Sequence, residues 1–194
     1  MLHYISNSAH YKEVLSRVTH VKQSLWIGTA DIKDLYIEEG KTNNVSSKRG
    51  QKEIVLSAER EKGRATLKPF LEVLAILIKK GVAVRLIHAK EPGPNFREDF
   101  DRFPILYDGL ERVLCPRVHF KMMIFDGKEA YIGSANLTGA GIGMKAETTR
   151  NFEAGILTDE PEIVEKALNQ FDEVWMGKHC KTCKRRDFCP DPIA

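Results

Sequence analysis

Residues 118–136 read VHFKMMIFDGKEAYIGSAN, and the rest of the chain can be organised around them. Val118 to Phe125 is a mostly apolar run of strand character that ends in Asp126-Gly127, a dipeptide whose tolerance of positive φ makes it a hairpin signal. Ala130, Tyr131 and Ile132 resume as the partner strand. Strand side chains alternate with period two, so His119 and Lys121 fall on one face and reach one ligand. The hairpin also returns Gly133, Ser134 and Asn136 to the start of the first strand. An imidazole, a fixed cation and two short hydrogen-bonding side chains then converge, which in outline is a phosphate site.

Upstream, Leu25, Trp26 and Ile27 begin a buried strand with a polar exit through Gly28, Thr29, Ala30 and Asp31. Thr66 opens a helix with Pro69 in its first turn, Phe70, Val73, Leu74, Leu77 and Ile78 on its buried face and Gly81 as its stop. Val82 to His88 follows as a strand. This strand, helix, strand order predicts an α/β fold whose central sheet is mostly parallel or mixed and flanked by helices. Near the start, Tyr11, Val14, Leu15, Val18 and Val21 repeat at helical spacing behind Asn7 and Ser8 as capping candidates. Downstream, Phe152 to Leu157 reads as a strand. Asp159 and Glu162 resemble a capping box with Pro161 in the first turn, ahead of a helix whose stripe is Ile163, Val164, Ala167, Leu168, Phe171, Val174 and Trp175. Tyr131, Ile132 and Trp175 are assigned to core packing. The stretch from Pro92 to Leu114 is less regular, and Gly40 to Arg64 reads as a long polar loop of the kind that is functional or mobile.

A chain of 194 residues and 22.0 kDa has room for one core, and 42% hydrophobic with 29% charged residues is an ordinary globular composition. The net charge of +3 is too small to mark a nucleic-acid binder or a membrane-surface protein by itself. The N-terminal stretch lacks the apolar core of a signal peptide, and no segment reaches the ~18 consecutive apolar residues of a membrane span. A cytoplasmic protein with no stable membrane association is the expectation.

His119, Lys121, Asp126, Gly133, Ser134 and Asn136 satisfy the pattern HxKxxxxDxxxxxxGSxN, and Glu153 follows in RNFEAGIL. At about one in twenty per position, six specified residues match a given start by chance on the order of once in 10⁷ to 10⁸. The stretch from His119 to Glu153 resembles the phospholipase D superfamily. That resemblance implies a metal-independent phosphodiesterase without a catalytic metal, in which one histidine forms a phosphohistidine and a second protonates the leaving oxygen and then activates water. In this reading His119 is nucleophile or acid, Lys121 and Asn136 clamp phosphate oxygens, Ser134 donates to phosphate or a neighbouring side chain, and Glu153 orients the imidazole. Asp126 is either catalytic or, at its hairpin turn, structural.

Two such motifs are needed, and only one is complete. The pairs His10 with Lys12, His20 with Lys22, His88 with Lys90 and His179 with Lys181 are followed five residues later by Arg17, Ile27, Asn95 and Arg186, never by Asp. Single-motif members of the family form homodimers, so a homodimer acting on DNA or RNA is expected. The alternatives are a phospholipase or phosphatidyl transferase, and an inactive nucleic-acid-binding module.

A second cluster closes the chain. Cys180, Cys183 and Cys189 have the spacing C-x2-C-x5-C, and Cys115 is a distant fourth thiol. In a reducing compartment such clustering reads as a structural metal centre, either zinc or an iron-sulfur cluster. Common usage favours zinc, with His179 a possible substitute for one thiolate; the spacing itself resembles that of iron-sulfur nucleases of the RecB-like class. The chain is thus read as a catalytic domain over 1–177 and a cysteine-rich metal-binding tail over 178–194 packed on it. Lys178, Lys181, Lys184, Arg185 and Arg186 are expected to form a basic rim near the active site.

Overall fold

The computed structural model describes residues 1–39 and 66–193; the polar loop from Gly40 to Arg64 lies outside the described residues. In chain order the strands are β1 (Leu2–Ser6), β2 (Ser24–Thr29), β3 (Tyr36–Glu39), β4 (Thr66–Pro69), β5 (Ala83–His88), β6 (Leu110–Leu114), β7 (Lys121–Phe125), β8 (Glu129–Gly133) and β9 (Ala154–Thr158). The helices are α1 (Phe70–Lys79), α2 (Pro94–Asp101), α3 (Ile105–Gly109) and α4 (Pro161–Trp175). Seven strands form one sheet in the order β1-β9-β8-β7-β2-β5-β6, and β3 pairs with β4 in a separate ribbon. The sheet is mixed. Parallel pairing, anticipated from the βαβ pattern, is confined to β2, β5 and β6, whereas the β7–β8 hairpin and its neighbours are antiparallel.

Alternating side chains divide the core between the two faces of this sheet. Ile5, Leu25, Ile27, Met123, Phe125 and Leu157 pack towards the N-terminal turns and α1. Ile87, Met122, Ile124 and Ala130 pack under Val164, Ala167 and Phe171 of α4. Beyond α4 that second face is open: Tyr4 stands opposite Ile156, Ile156 opposite Ile132, and all three are exposed.

Three expected elements differ in detail. The first helix is a π-helical turn over His10–Val14 followed by a 3₁₀ segment over Leu15–His20, and neither Asn7 nor Ser8 caps it. Val14, Val18, Thr19 and Val21 are β-branched and poor helix formers, and the altered winding brings His10, Val14, Leu15 and Val18 together into the core. The second helix begins at Phe70, not Thr66, because the residue before a proline disfavours α conformation and Lys68-Pro69 stays paired to β3. Its end is as read: Gly81 has φ +84°, and Gly81 and Val82 donate to the carbonyls of Ile78 and Leu77 in a Schellman pattern. In α4, Pro161 occupies the first turn, but no capping box forms; the Asp159 carboxylate accepts instead from the Met1 amine. Among the described residues no helix is long and apolar enough to cross a membrane.

Candidate active site

The site is assembled where β7 begins and β8 ends, beside the C-terminal end of β2. Lys121, the first residue of β7, is buried, and its Nζ donates to the His119 carbonyl at 2.7 Å and sits 3.2 Å from both ring nitrogens of that histidine. His119 itself precedes the strand and is exposed. What keeps it in place is its neighbour. Phe120 packs inward near Phe171 of α4, and a Cβ at Gly28 would lie 2.1 Å from the Phe120 ring, so only glycine at that position of β2 admits it. Burial lowers the Lys121 pKa, and the Glu153 carboxylate opposes the shift.

Asn136 is fixed by one end of its amide. Its Oδ1 accepts from the backbone N–H groups of Ala30 and Asp31 at 3.2 and 3.1 Å, which leaves the NH₂ without a hydrogen bond among the described residues. The end of β2, read as a polar exit, is thus where the Asn136 amide is anchored. Ser134 donates to Glu153 and accepts from the N–H of Ala154 at 3.0 Å, so its partner is a neighbouring side chain. Glu153 also accepts from Asn151 Nδ2 at 3.0 Å. Its expected bond to the His119 imidazole is not made within one chain.

Gly133 carries a packing constraint. A Cβ there would come within 2.3 Å of the Tyr131 hydroxyl and 2.8 Å of the Ala154 carbonyl, so the strand can lie over Tyr131 only with glycine. Tyr131 belongs to the core, as read, but among the described residues its hydroxyl and His10 Nε2 are buried polar atoms without hydrogen-bond partners. The two rings meet edge to face at 5.4 Å beneath the site. Burial lowers the His10 pKa against the opposing pull of the Asn7 carbonyl and Glu153, and burial raises that of Tyr131. Sequence reading did not find His10 as part of this layer; the pair of glycines at 133 and 155, both in contact with Tyr131, was its trace.

Asp126 is not brought to the site. It lies at the far end of β7, about 16 Å of strand from Lys121 at ~3.3 Å per residue. Its carboxylate accepts from the N–H groups of Gln23 at 2.7 Å, Ser24 at 3.0 Å and Lys22 at 3.0 Å, tying the hairpin tip to the entry of β2. Burial opposes its ionisation, but these three N–H groups outweigh burial and hold the carboxyl below its ordinary value. Asp126 and Gly127 have φ of 53° and 64°, the positive pair of a type I′ turn.

The four cysteines meet in one cavity lined also by His179 and Arg117, between the segment after α4 and the Cys115–Val118 turn. All four thiols are free. The N–H of Arg185, then the Arg117 guanidinium, hold the Cys183 thiol below its ordinary value, and burial raises that of Cys189. His179 sits 3.5 Å from Glu173, and among the described residues no group of three or more His, Cys, Asp or Glu side chains is placed to hold a single metal ion. The basic rim is partly occupied: Lys178 pairs with Glu173 at 2.6 Å, and Arg186 bonds the carbonyls of Cys180 and Ile193.

Comparison of the sequence with curated proteins finds no match. Among solved structures the fold is similar to the phospholipase D family member Nuc from Salmonella typhimurium, with a TM-score of 0.57 and 16% identity over 90% of this chain and 93% of that one. It is similar also to NucT from Helicobacter pylori, with a TM-score of 0.55 and 13% identity over 89% of this chain and 95% of that one. A phosphatidylserine synthase from Haemophilus influenzae gives a TM-score of 0.54 and 10% identity, over 89% of this chain and 36% of that one. At these identities the likeness is one of fold. The sequence supplies the family: residues 49–175, more than half of the chain, match the model described as Cardiolipin synthase, PLD-like domain, and the protein belongs to the phospholipase D superfamily.

Proposed function

We propose that this protein is a metal-independent nuclease that cleaves DNA or RNA through a phosphohistidine in a homodimeric site. The observation that carries the reading is Lys121 Nζ held 3.2 Å from the His119 ring, next to Asn136 anchored through its oxygen with its NH₂ uncommitted. In the first step the His119 imidazole attacks phosphorus, the bond to the leaving oxygen breaks, and the partner's His119 gives that oxygen a proton. The partner's imidazole then takes a proton from water, the water oxygen bonds phosphorus, and the phosphorus–nitrogen bond breaks to release a phosphomonoester and free histidine. Lys121 and Asn136 stabilise the negative charge on the non-bridging oxygens in both steps.

One chain supplies one such histidine, which supports a second copy. The open row of Tyr4, Ile156 and Ile132 offers an apolar surface on which a second copy can seat. Exposed Arg117, Lys181 and Lys184 supply phosphate contacts, which give most non-specific nucleic-acid affinity. Phe152, 93% exposed immediately before Glu153, offers a ring on which a base can stack. Phosphatidyl transfer is the second reading, favoured by the family model's description and the phosphatidylserine synthase likeness.

The test is cleavage of single- and double-stranded DNA and RNA in excess chelator, alongside vesicles of phosphatidylcholine and cardiolipin. Nucleic-acid cleavage that survives chelator and is lost in His119→Ala is expected. A strict requirement for added magnesium contradicts the mechanism, turnover of lipid alone moves the assignment to phosphatidyl transfer, and binding without turnover of any phosphodiester leaves a binding module.

A further inference from the structure

We propose that Cys115, Cys180, Cys183 and Cys189 hold an iron–sulfur cluster of the [4Fe–4S] type that fastens the C-terminal segment to the strand connection leading into His119. The site is independent of which phosphodiester the protein cleaves.

Convergence is the first argument. Three of the thiols follow α4 and the fourth follows β6, and the fold brings all four to one cavity of about 210 Å³. That is several times the ≈ 30 Å³ share of one liquid water molecule. None of the four is used in a disulfide.

The second argument is what the segment lacks. Beyond α4 its only regular structure among the described residues is the three-residue turn Arg186–Phe188, and its large apolar side chains, Met176, Phe188 and Ile193, are 71%, 72% and 38% exposed. The segment nevertheless folds back on β6. Asp191 accepts from the Leu114 N–H at 2.9 Å, and Cys189 Sγ approaches the Leu114 carbonyl at 3.9 Å. Few apolar contacts oppose the entropy of ordering this stretch, and four metal–sulfur bonds at its centre would.

The size and donor set of the site select the guest. Zinc binds thiolate at ~2.3 Å, so tetrahedral geometry puts neighbouring sulfurs about 3.8 Å apart. The four cysteines here line a cavity of about 210 Å³, which has room for a guest of several atoms held at its corners. Four sulfurs line the cavity, the usual complement of a [4Fe–4S] cluster. Such a cluster in its 2+ form with four thiolates carries a net charge of −2. Arg117, Arg185 and Arg186 line the same cavity and offset it. Loading a [4Fe–4S] core in its 2+ form, two ferric and two ferrous irons with four sulfides, releases four S–H protons as four iron–thiolate bonds form and transfers no electrons.

The experiment is iron, acid-labile sulfide and zinc analysis of the protein purified without oxygen, with its visible spectrum, before and after anaerobic reconstitution with ferric and ferrous iron in equal amounts and sulfide. About four iron and four sulfide per chain are expected, with a broad visible band that bleaches on reduction. Cys183→Ser should lose most of the iron, while His179→Ala and Lys181→Ala should keep it. Loss of cluster should expose the segment after Gly177 to limited proteolysis, a readout that needs no assay of cleavage. One zinc per chain and no iron, or no iron after reconstitution of folded protein, overturns the proposal.

Discussion

At Asn136 the two ends of one amide differ: the oxygen is bound by two backbone N–H groups of the β2 exit, and the nitrogen, without a hydrogen bond among the described residues, is the end proposed to meet substrate. Asn136→Asp keeps the acceptor and removes the donor, so it separates positioning from catalysis. Its kcat should fall on the order of 10² to 10³-fold, the usual effect of losing one charge-stabilising donor, while its thermal midpoint moves by less than about 3 °C. A large loss of midpoint with kcat per folded molecule intact would place Asn136 in the scaffold only. His119, Lys121 and Asn136 were legible in the sequence because their spacing is a chemical specification, independent of where the strand starts. His10 and the Tyr131 hydroxyl were not, since a buried polar atom leaves no periodic signal. The crowded glycines that admit Tyr131 were visible only as letters of a motif.

At the level of the element, the Asp126 carboxylate fastens the β7–β8 hairpin to β2. Asp126→Ala strands the N–H groups of Lys22, Gln23 and Ser24 at an expected cost of about 1–3 kcal/mol, with activity per folded molecule unchanged. A variant of wild-type stability that has lost its activity would return Asp126 to the chemistry. The carboxyl titrates lower in the folded protein than unfolded. Its contribution is therefore complete above the ordinary value of 3.8 and is lost as pH falls through the depressed folded value. In urea titrations the gap between wild type and Asp126→Ala should be full at neutral pH and shrink below about pH 4. The hairpin, β5 and α4 were readable because apolar periodicity and turn residues agree there. β1 was missed because only Ile5 of its five residues is buried. β6 was missed because Glu111 and Arg112 interrupt its apolar run on a sheet edge, and parallel pairing with β5 supplies what its own pattern does not.

For the whole molecule, the single complete motif in the sequence and the open apolar row of Tyr4, Ile132 and Ile156 both support the proposed second copy. Tyr4→Glu combined with Ile156→Glu should give a folded monomer by light scattering, with more than about 100-fold less activity, since the second imidazole is worth ~10²–10⁴-fold as acid and base. A monomer that keeps full activity would show that one chain suffices. The sequence raised the expectation of two copies from its motif count, but the open row was not legible in it, because exposure of Tyr4, Ile132 and Ile156 depends on where α4 stops covering the sheet. The shared site is tested most directly by a heterodimer of one wild-type chain and one His119→Ala chain, isolated through two different affinity tags and assayed in chelator. If each phosphodiester is handled by both imidazoles, the heterodimer retains less than about one hundredth of the wild-type rate. A heterodimer with half the wild-type rate would mean that each chain works alone, and would contradict the shared site.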